Sequence, residues 1–339
     1  MVKVGILNVT GYAGAELARL LYNHPEAQLA SVTGRSEAGK KLAEVFPHLA
    51  AYDMAVDPEL GDVDFVFSAL PHAASAESVA PLVQSGVPVV DISADFRLND
   101  AKEYAEWYGG EHPAPELLPK VAYGLTELNR EAVKASKLIA NPGCYPESAL
   151  LALAPAAKAG LIGPDIIIDS KSGVSGAGRG LKQSLLLAEA GESVSVYGLK
   201  GHRHLPEIVQ ELRKMWRESE SPKVTFTPHL VPMTRGILST CYAPLSTTKT
   251  EVEVRELYQQ FYSDEPFVRI VDAPPSTKQV RGTNACHVYP TVDQRTDRLV
   301  VVSVLDNLVK GAAGQAIQNM NAMLGLPETM GIDMPALYP

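Results

Sequence analysis

The fold is decided at the start of the chain, where residues 2–14 read VKVGILNVTGYAG. The first half of this stretch is an apolar run typical of a buried strand, and a helical pattern from Ala13 to Asn23 follows it. Between them, Asn8, Gly11 and Gly14 stand three residues apart. This spacing is typical of a turn in which the backbone approaches a pyrophosphate at a helix N-terminus. We expect a dinucleotide site here, with a plain strand-to-helix connection as the alternative.

The alternation of strand and helix patterns continues through the first 140 residues. Short apolar runs separated by helices indicate parallel strands with right-handed crossovers, hence a doubly wound α/β sheet. The predicted strands of this part are Val2 to Leu7, Leu29 to Thr33, Val63 to Leu70, Val87 to Ile92 and Lys137 to Ala140.

After Cys144 the pattern changes, because several predicted strands follow one another directly. Consecutive strands indicate a mixed or antiparallel sheet, with helices on one face. The predicted strands are Asp165 to Asp169, Lys223 to His229, Ile237 to Ala243, Asn284 to Val292 and Arg298 to Leu305. The predicted helices are Pro206 to Glu218, Glu251 to Tyr262 and Gly311 to Leu324.

Composition limits the class of protein. A chain of 339 residues is long enough for two domains, and 46% hydrophobic residues provide ample core. The net charge of −9 argues against a nucleic-acid or anionic-membrane partner. The three cysteines have no paired spacing, which argues for a reducing compartment and against disulfides or a bound metal. Without a leader or an apolar run near ~18 residues, we expect a cytoplasmic protein.

The choice of cofactor should be made at the end of the second strand, where residues 33–36 read TGRS. An acidic residue that would hold a ribose 2′-hydroxyl is missing there. Arg35 and Ser36 together suit a 2′-phosphate. We therefore predict NADP rather than NAD, with a solvated surface arginine as the alternative.

The best candidate nucleophile is Cys144, within NPGCYP at residues 141–146. A predicted strand precedes this motif and a helical pattern starts at Ser148, so the cysteine should lie on a tight turn. Free amides of a helix N-terminus favour a thiolate and stabilise a developing oxyanion. The alternative is a small buried thiol that only packs.

A thiol nucleophile needs an acid/base partner, and GHRH at residues 201–204 offers one. On an extended segment before a helix opening at Pro206, alternation would place His202 and His204 on one side and Arg203 on the other. We predict that one of the two histidines is the general acid/base. A structural role for either is the alternative.

Two further features suit an anionic substrate. The loop from Lys171 to Gly180 is rich in glycine and serine, and its Ser172, Gly173 and Arg179 suit a phosphate or carboxylate. A flexible connection is the alternative. Arg97 follows a predicted strand at the edge where α/β sheets bind ligands. It is a candidate substrate clamp, or else a partner of an acid such as Asp95.

Five motifs together resemble the N-acetyl-γ-glutamyl-phosphate reductase family of arginine biosynthesis, in the longer of its two forms. They are NPGCYP at 141–146, KSGVSGAGR at 171–179, GHRH at 201–204, TPHLVPMTRG at 227–236 and DNLVKGAAGQA at 306–316. The likeness extends over nearly the whole chain.

This resemblance implies a Rossmann NADP-binding domain over residues 1–143, completed by a C-terminal helix over residues 307–339. It implies an α+β catalytic and dimerisation domain like that of glyceraldehyde-3-phosphate dehydrogenase over 144–306. Cys144 would be the nucleophile, and the GHRH segment would provide the acid/base. The cofactor would contact Thr10, Gly11, Tyr12 and Ala13 at its pyrophosphate, Gly34, Arg35 and Ser36 at its adenosine end and Asn307 near its nicotinamide. A homodimer or homotetramer would be expected.

The implied reaction is the NADPH-dependent reduction of a small acyl phosphate through a cysteine thioester. The related reductase of aminoadipate-type lysine biosynthesis is one alternative, since one methylene gives only ~1–3 kcal/mol of discrimination. A non-catalytic NADP-binding regulator is the other. Two residues depart from the family pattern, namely Asn8 in place of glycine and Glu147 in place of threonine. A carboxylate at position 147 would oppose ionisation of Cys144 unless it points away or caps the helix N-terminus.

Overall fold

The structure is a computed structural model that describes residues 1–217 and 220–339. Its contacts divide the chain into two units. The first contains Met1–Gly143 and Ala312–Asp333, and the second contains Cys144–Gly311 and Met334–Pro339. The predicted return segment 307–339 is thus longer than the observed one. Residues 307–311 and Met334–Pro339 lie in the second unit, where Asn307 Nδ2 donates to Ser175 Oγ at 2.9 Å.

The first unit is built on a six-stranded sheet in which every neighbouring pair is parallel. Its strands are β1 (Val2–Leu7), β2 (Ala27–Val32), β3 (Phe65–Ser68), β4 (Val89–Asp91), β5 (Ala122–Tyr123) and β6 (Leu138–Ala140). Their order across the sheet is β2-β1-β3-β4-β6-β5, so the doubly wound prediction is confirmed. The two-residue strand β5 was not predicted, because so short a run has no periodicity to detect.

Helices connect these strands, as crossovers between parallel strands require. They are α1 (Tyr12–Leu21), α2 (Leu42–Val45), α3 (Ala74–Gln84), α4 (Ala101–Tyr108) and α5 (Thr126–Ala135). One part of the core lies where strands β3, β4 and β6 meet α3, and it includes Val66, Val79 and Leu138, none more than 1% exposed.

The second unit is built on a seven-stranded mixed sheet in the order β11-β12-β13-β10-β7-β9-β8. Its strands are β7 (Asp165–Ser172), β8 (Ser195–Val196), β9 (Lys223–Leu230), β10 (Ile237–Pro244), β11 (Val268–Ile270), β12 (Cys286–Asp293) and β13 (Arg298–Leu305). Two pairs, β7 with β9 and β11 with β12, are parallel, and the other pairs are antiparallel. The prediction of a mixed sheet is confirmed.

Helices of this unit are α6 (Cys144–Lys158), α7 (Leu187–Ala190), α8 (His204–Met215) and α9 (Glu251–Phe261). Helix α6 begins at Cys144 itself, four residues before the predicted start. Helix α8 begins at His204 rather than Pro206. The predicted end of that helix, Glu218, lies outside the described residues.

Buried hydroxyl groups fix the start of α6 on the sheet. Ser148 Oγ lies 2.9 Å from Ser239 Oγ on β10 and 2.7 Å from Ser303 Oγ on β13. Ser239 Oγ in turn lies 2.7 Å from Ser170 Oγ on β7. All four side chains are fully buried. Because buried hydroxyl groups need partners, this network allows one placement of the helix over the sheet.

The chain returns to the first unit as helix α10 (Gly314–Met323), which is buried on nearly every side. Its polar residues are bonded within that unit: Gln315 Nε2 donates to Gly124 O at 2.8 Å, and Thr126 Oγ1 donates to Asn319 Oδ1 at 2.7 Å. Among the described helices, none combines the length and apolar character that crossing a bilayer demands.

Candidate active site

Cys144 is the first residue of α6 and the one half-buried cysteine of the three in the chain. Cys241 and Cys286 are completely buried, and burial raises the pKa of Cys241 to about 12. A thiol reacts as its thiolate, so Cys241 is unsuited to nucleophilic chemistry at neutral pH. Cys144 combines access with a helix N-terminus, as the sequence predicts.

A glycine packs directly against this cysteine. A Cβ added to Gly311 would lie 2.7 Å from Cys144 Cβ, closer than such atoms come in proteins. Gly311 belongs to a π-helical segment, Val309–Ala313, that follows β13. Segments of this kind often occur at functional sites. The position next to the thiol therefore demands glycine for steric reasons.

The two histidines lie together, although not for the predicted reason. Their ring centres are 4.8 Å apart. The segment is not extended, because Arg203 has helical torsion angles (φ −58°, ψ −18°) and His204 already starts α8. The prediction of an extended segment was wrong, and the turn into the helix is what brings the rings together.

Aromatic side chains surround the imidazoles and connect them to Cys144. The ring of Tyr145, the residue after the cysteine, lies 5.7 Å from that of His202 and 5.9 Å from that of His204. Tyr197 and Phe226 each lie 5.4 Å from His202. The contacts of these three aromatic residues with the imidazoles were not predicted from the sequence. The position of Tyr145 next to the cysteine could have suggested its role, whereas nothing local marks the other two.

The two tyrosines form a hydrogen-bonded pair. Tyr197 donates its hydroxyl hydrogen to Tyr145 at 3.0 Å, and Tyr145 donates to the His229 carbonyl at 3.3 Å. Burial raises the pKa of Tyr197 to about 12, and the nearby Cys144 adds to the increase. Burial also raises the pKa of Tyr145. Both phenols therefore remain neutral hydrogen-bond donors near the thiol.

The two imidazoles are not equivalent. Nδ1 of His202 accepts the backbone N–H of His204 at 3.1 Å, so the neutral ring carries its hydrogen on Nε2. Burial, and after it the charge of Arg203, lowers the pKa of His202 to about 4. His202 is thus a neutral donor near pH 7.

The loop from Lys171 to Gly180, which is predicted to bind an anion, also lies in the second unit. Ser172 is 2% exposed and its Oγ donates to Gly173 O at 3.0 Å. A Cβ on Gly173 would meet Thr234 O at 2.7 Å, so the loop lies against the segment before β10. Arg179 is exposed at the end of the loop. The substrate roles of these residues stay predictions.

Asn307 ties the loop to the sheet. Its Nδ2 donates to Ser175 Oγ at 2.9 Å, and its Oδ1 accepts the N–H of Gly236 at 2.7 Å. With both ends of its amide engaged, the side chain has a fixed orientation. Its predicted place near a nicotinamide stays a prediction.

Arg97 lies in the first unit and is 7% exposed. Its Nε donates to Asn141 O at 2.9 Å, and its Nη2 donates to Ile92 O at 2.7 Å. Asp95 accepts the backbone N–H groups of Ala73 and Ala76. The guanidinium thus supports the carboxyl ends of β4 and β6, and a substrate role for Arg97 stays a prediction.

The glycine turn of the first unit suits a pyrophosphate. Asn8 has φ +64°, a left-handed conformation that asparagine adopts more readily than most other non-glycine residues. A Cβ on Gly14 would lie 2.5 Å from Asn8 O, so helix α1 approaches the strand end closely. Gly11 is the N-cap of α1 and makes no side-chain cap, which leaves the first amides open to an anion. Thr10 and Ala13 are half-buried beside it and Tyr12 is 38% exposed.

The end of β2 lies against this turn. A Cβ on Gly34 would come within 2.5 Å of Thr10 Cγ2, so only glycine fits there. The next two side chains, Arg35 and Ser36, are exposed. The residues present therefore fit a dinucleotide whose adenosine end reaches β2.

Comparison with known proteins agrees with both units. Residues 3–136 match the family model described as "Semialdehyde dehydrogenase, NAD binding domain", and residues 144–307 match "Semialdehyde dehydrogenase, dimerisation domain". The first unit is thus an NAD(P)-binding domain.

Solved structures share the fold. An aspartate semialdehyde dehydrogenase II from Vibrio cholerae superposes with a TM-score of 0.70 at 17% identity, covering 96% of this chain and 99% of that one. The enzyme from Candida albicans, solved with NADP, gives 0.67 at 19% identity, covering 97% and 99%. The predicted fold class is confirmed.

Curated relatives are much closer in sequence. An N-acetyl-gamma-glutamyl-phosphate reductase of Dehalococcoides mccartyi (strain CBDB1) is 56% identical over 338 residues, which is 99% of each chain. One from Pelotomaculum thermopropionicum is 51% identical over 347 aligned residues, covering 100% of this chain and 99% of the relative. With this identity over its full length, the chain belongs to the N-acetyl-gamma-glutamyl-phosphate reductase family.

Proposed function

We propose that this enzyme reduces N-acetyl-L-γ-glutamyl phosphate to N-acetyl-L-glutamate 5-semialdehyde and releases phosphate, with NADPH as reductant, in arginine biosynthesis. The observation that carries the proposal is the half-buried Cys144 at the start of α6, next to an aromatic cluster that holds two imidazoles. Family membership supports the choice of substrate, since the curated relatives are named as reductases of N-acetyl-gamma-glutamyl phosphate.

In the first step Cys144 Sγ attacks the acyl carbon. A carbon–sulfur bond forms, the bond from carbon to the phosphate oxygen breaks, and phosphate leaves with the electron pair. The N-terminal amides of α6 would stabilise the carbonyl oxygen as it becomes negative, since donors held in place stabilise such an oxyanion. The product on the enzyme is a thioester of Cys144.

In the second step the thioester is reduced. The chemistry that NADPH supplies when bound is a hydride for the thioester carbonyl. An imidazole gives a proton to the carbonyl oxygen as charge develops there. The same imidazole takes that proton back when the thiohemiacetal collapses, so that the aldehyde leaves and the thiolate of Cys144 is restored.

We assign this proton transfer to His204. Nδ1 of His202 is occupied by the first amide of α8, and protonating it would break that hydrogen bond. Its pKa of about 4 also keeps His202 neutral throughout the neutral range. A general acid/base works best with a pKa near the operating pH. His202 is better suited to orient His204 and the substrate oxygen through its Nε2 hydrogen.

The preference for NADPH rests on the end of β2. Arg35 and Ser36 are exposed there, beside a glycine that lies against the pyrophosphate turn. An arginine and a hydroxyl can both bind a 2′-phosphate, and arginine pairs with phosphate in a bidentate manner. The anion loop around Ser172 and the exposed Arg179 would hold the acyl phosphate.

A second copy of the chain would cover the outer face of the second sheet. Helix α6 packs on one face, whereas Leu238, Tyr242, Val300 and Val302 point to the other face and are half-buried. Tyr242 lies opposite Val300 in the register, so these side chains form one apolar surface. The matching dimerisation-domain model includes them. We propose a homodimer through this face, or a homotetramer of such dimers, in the cytoplasm.

The proposal is tested most directly in reverse. Purified enzyme is given N-acetyl-L-glutamate 5-semialdehyde, phosphate and NADP, and the absorbance of NADPH is followed. NADPH should form only when phosphate is present, and NAD should replace NADP poorly. Reaction without phosphate would contradict the acyl-phosphate step. Faster turnover of the semialdehyde that is one methylene longer would assign the chain to the lysine pathway instead.

A further inference from the structure

Two opposite charges are buried together beside the proposed nucleophile. Glu147 lies in the first turn of α6, and Lys310 lies in the π-helical segment after β13. Both side chains are completely buried, and Lys310 Nζ is 3.5 Å from Glu147 Oε1. The ammonium group also lies 5.6 Å from the centre of the Phe267 ring. Burying two charges is unfavourable, and removing one partner alone is strongly destabilising.

Both charged residues are close to Cys144, Glu147 because of its position on the same helix and Lys310 because of its neighbour Gly311. Residues three apart on a helix share a face, with Cβ atoms about 5–6 Å apart, so Glu147 lies one turn above the cysteine on the same side. Lys310 directly precedes Gly311, whose missing Cβ would be 2.7 Å from Cys144 Cβ. One short segment thus touches the nucleophile with its glycine and the carboxylate with its lysine.

We propose that Glu147 and Lys310 are positioning residues that balance charge beside Cys144 and hold Gly311 against it. An uncompensated carboxylate at this place would oppose a thiolate, and an uncompensated ammonium would favour the thiolate but weaken it as a nucleophile. Together the two charges nearly cancel at the sulfur. The inference rests on the proposed role of Cys144, and it accounts for Glu147 at a position where the family pattern has threonine.

Other ionisable groups belong to the elements around α6 and act equally in every variant. They include Tyr145 on α6, Tyr197, His202, His204, Glu207 and Glu211 on and before α8, Tyr258 and Tyr262 on α9, Cys241 on β10, His287 on β12, and Asp306 with Arg235 near the π-helical segment. Changes at positions 147 and 310 therefore report the pair itself.

The test measures the pH at which Cys144 becomes reactive in the full-length enzyme without substrate. Iodoacetamide labelling is followed by mass spectrometry of the Cys144 peptide between pH 5 and 10. Glu147→Gln leaves the ammonium, so the midpoint should fall by about one pH unit. Lys310→Met leaves the carboxylate, so the midpoint should rise by a similar amount. The double variant should return close to the wild type.

Opposite shifts with restoration in the double variant support the proposal, since loss of packing alone would move both single variants the same way. An unchanged midpoint in Glu147→Gln would overturn it. If Lys310→Met does not fold, the fall in Glu147→Gln and its reversal in the double variant still decide the question. The labelling needs no turnover, so a failure of the proposed reaction would leave these midpoints interpretable.

Discussion

Each unit has a helix N-terminus at its candidate site, but the residues that surround the two helix starts differ. At α1 the contacts are made by backbone and glycine: Gly11 caps the helix and Gly14 lies against the strand end. At α6 the start carries a thiol, and a buried ion pair formed by Glu147 and Lys310 stands one turn away. A site that only binds a phosphate can rely on open amides. A site whose thiol must form and break a covalent bond also needs nearby charges that set the pKa of that thiol.

Two fully buried carboxylates, one in each unit, have different partners. In the first unit, Asp91 at the end of β4 is fully buried and accepts hydrogen bonds from the hydroxyls of Ser75 and Ser93. In the second unit, Glu147 is equally buried but faces the ammonium of Lys310. Hydroxyl groups satisfy hydrogen bonds without supplying a charge, whereas a cation balances the carboxylate. Of these two carboxylates, the one that faces a cation is Glu147, one helical turn from the proposed nucleophile Cys144.

The largest effect should come from the thiol itself. Cys144→Ser should lower kcat by about 10³-fold or more, because the thioester route requires a thiolate and the serine hydroxyl is far less acidic. Binding of NADP, measured by fluorescence titration, should be unchanged, since the NAD-binding domain model matches residues 3–136 and Cys144 lies outside it. Cys286→Ala is the matched control and should retain turnover. A Cys144→Ser variant with wild-type kcat would end the assignment.

The next largest effect should come from the histidines, and it should differ between His202 and His204. His204→Asn should lower kcat by about 10²- to 10⁴-fold, the usual contribution of a general acid/base. His202→Asn should lose less, because asparagine Oδ1 can still accept the N–H that Nδ1 accepts now. The pH profiles of kcat for both variants would check this, and the arm that reports proton transfer should vanish in His204→Asn alone. Equal losses in the two variants would contradict the assignment.

Replacing one glycine near each helix start by alanine should impair a different step in each unit. In Gly311→Ala the new Cβ meets Cys144 Cβ, and displacing a nucleophile by about 1 Å can lower kcat 10²-fold. In Gly14→Ala it meets the Asn8 carbonyl, so the KM for NADPH should rise while labelling of Cys144 stays normal. Gly110→Ala, whose Cβ would meet nothing within 4 Å, is the control. An identical kinetic defect in both variants would show that the helix starts do not have separate tasks.

Much of this site could be predicted because it is local in sequence. The turn from β1 to α1, the positive φ of Asn8 and the start of α6 near Cys144 follow from neighbouring residues. The ion pair and the tyrosine pair could not be predicted, because their partners are distant in sequence. The extended reading of GHRH failed for a local reason, since α8 begins at His204 and alternation no longer applies.

The smallest effect concerns the pH dependence of stability that arises from Asp91, the carboxylate bonded to hydroxyl groups. Burial raises the pKa of Asp91 to about 6, above its ordinary value of 3.8. The folded protein thus favours the protonated group, and the stability it contributes is full below about pH 4 and is lost as the pH rises through 6.

Asp91→Asn carries no titrating group at this place, so its own stability should lack this dependence. Relative to that variant, the free energy of unfolding of the wild type should fall by about 3 kcal/mol between pH 4 and 7.5, at ~1.4 kcal/mol per pKa unit. Urea unfolding at several pH values measures the difference. Asp62→Asn, whose side chain is 99% exposed, is the control and should track the wild type. A difference that stays constant with pH would mean that the hydroxyls of Ser75 and Ser93 stabilise the carboxylate as fully as a cation would, and the contrast with Glu147 would then lose its physical basis.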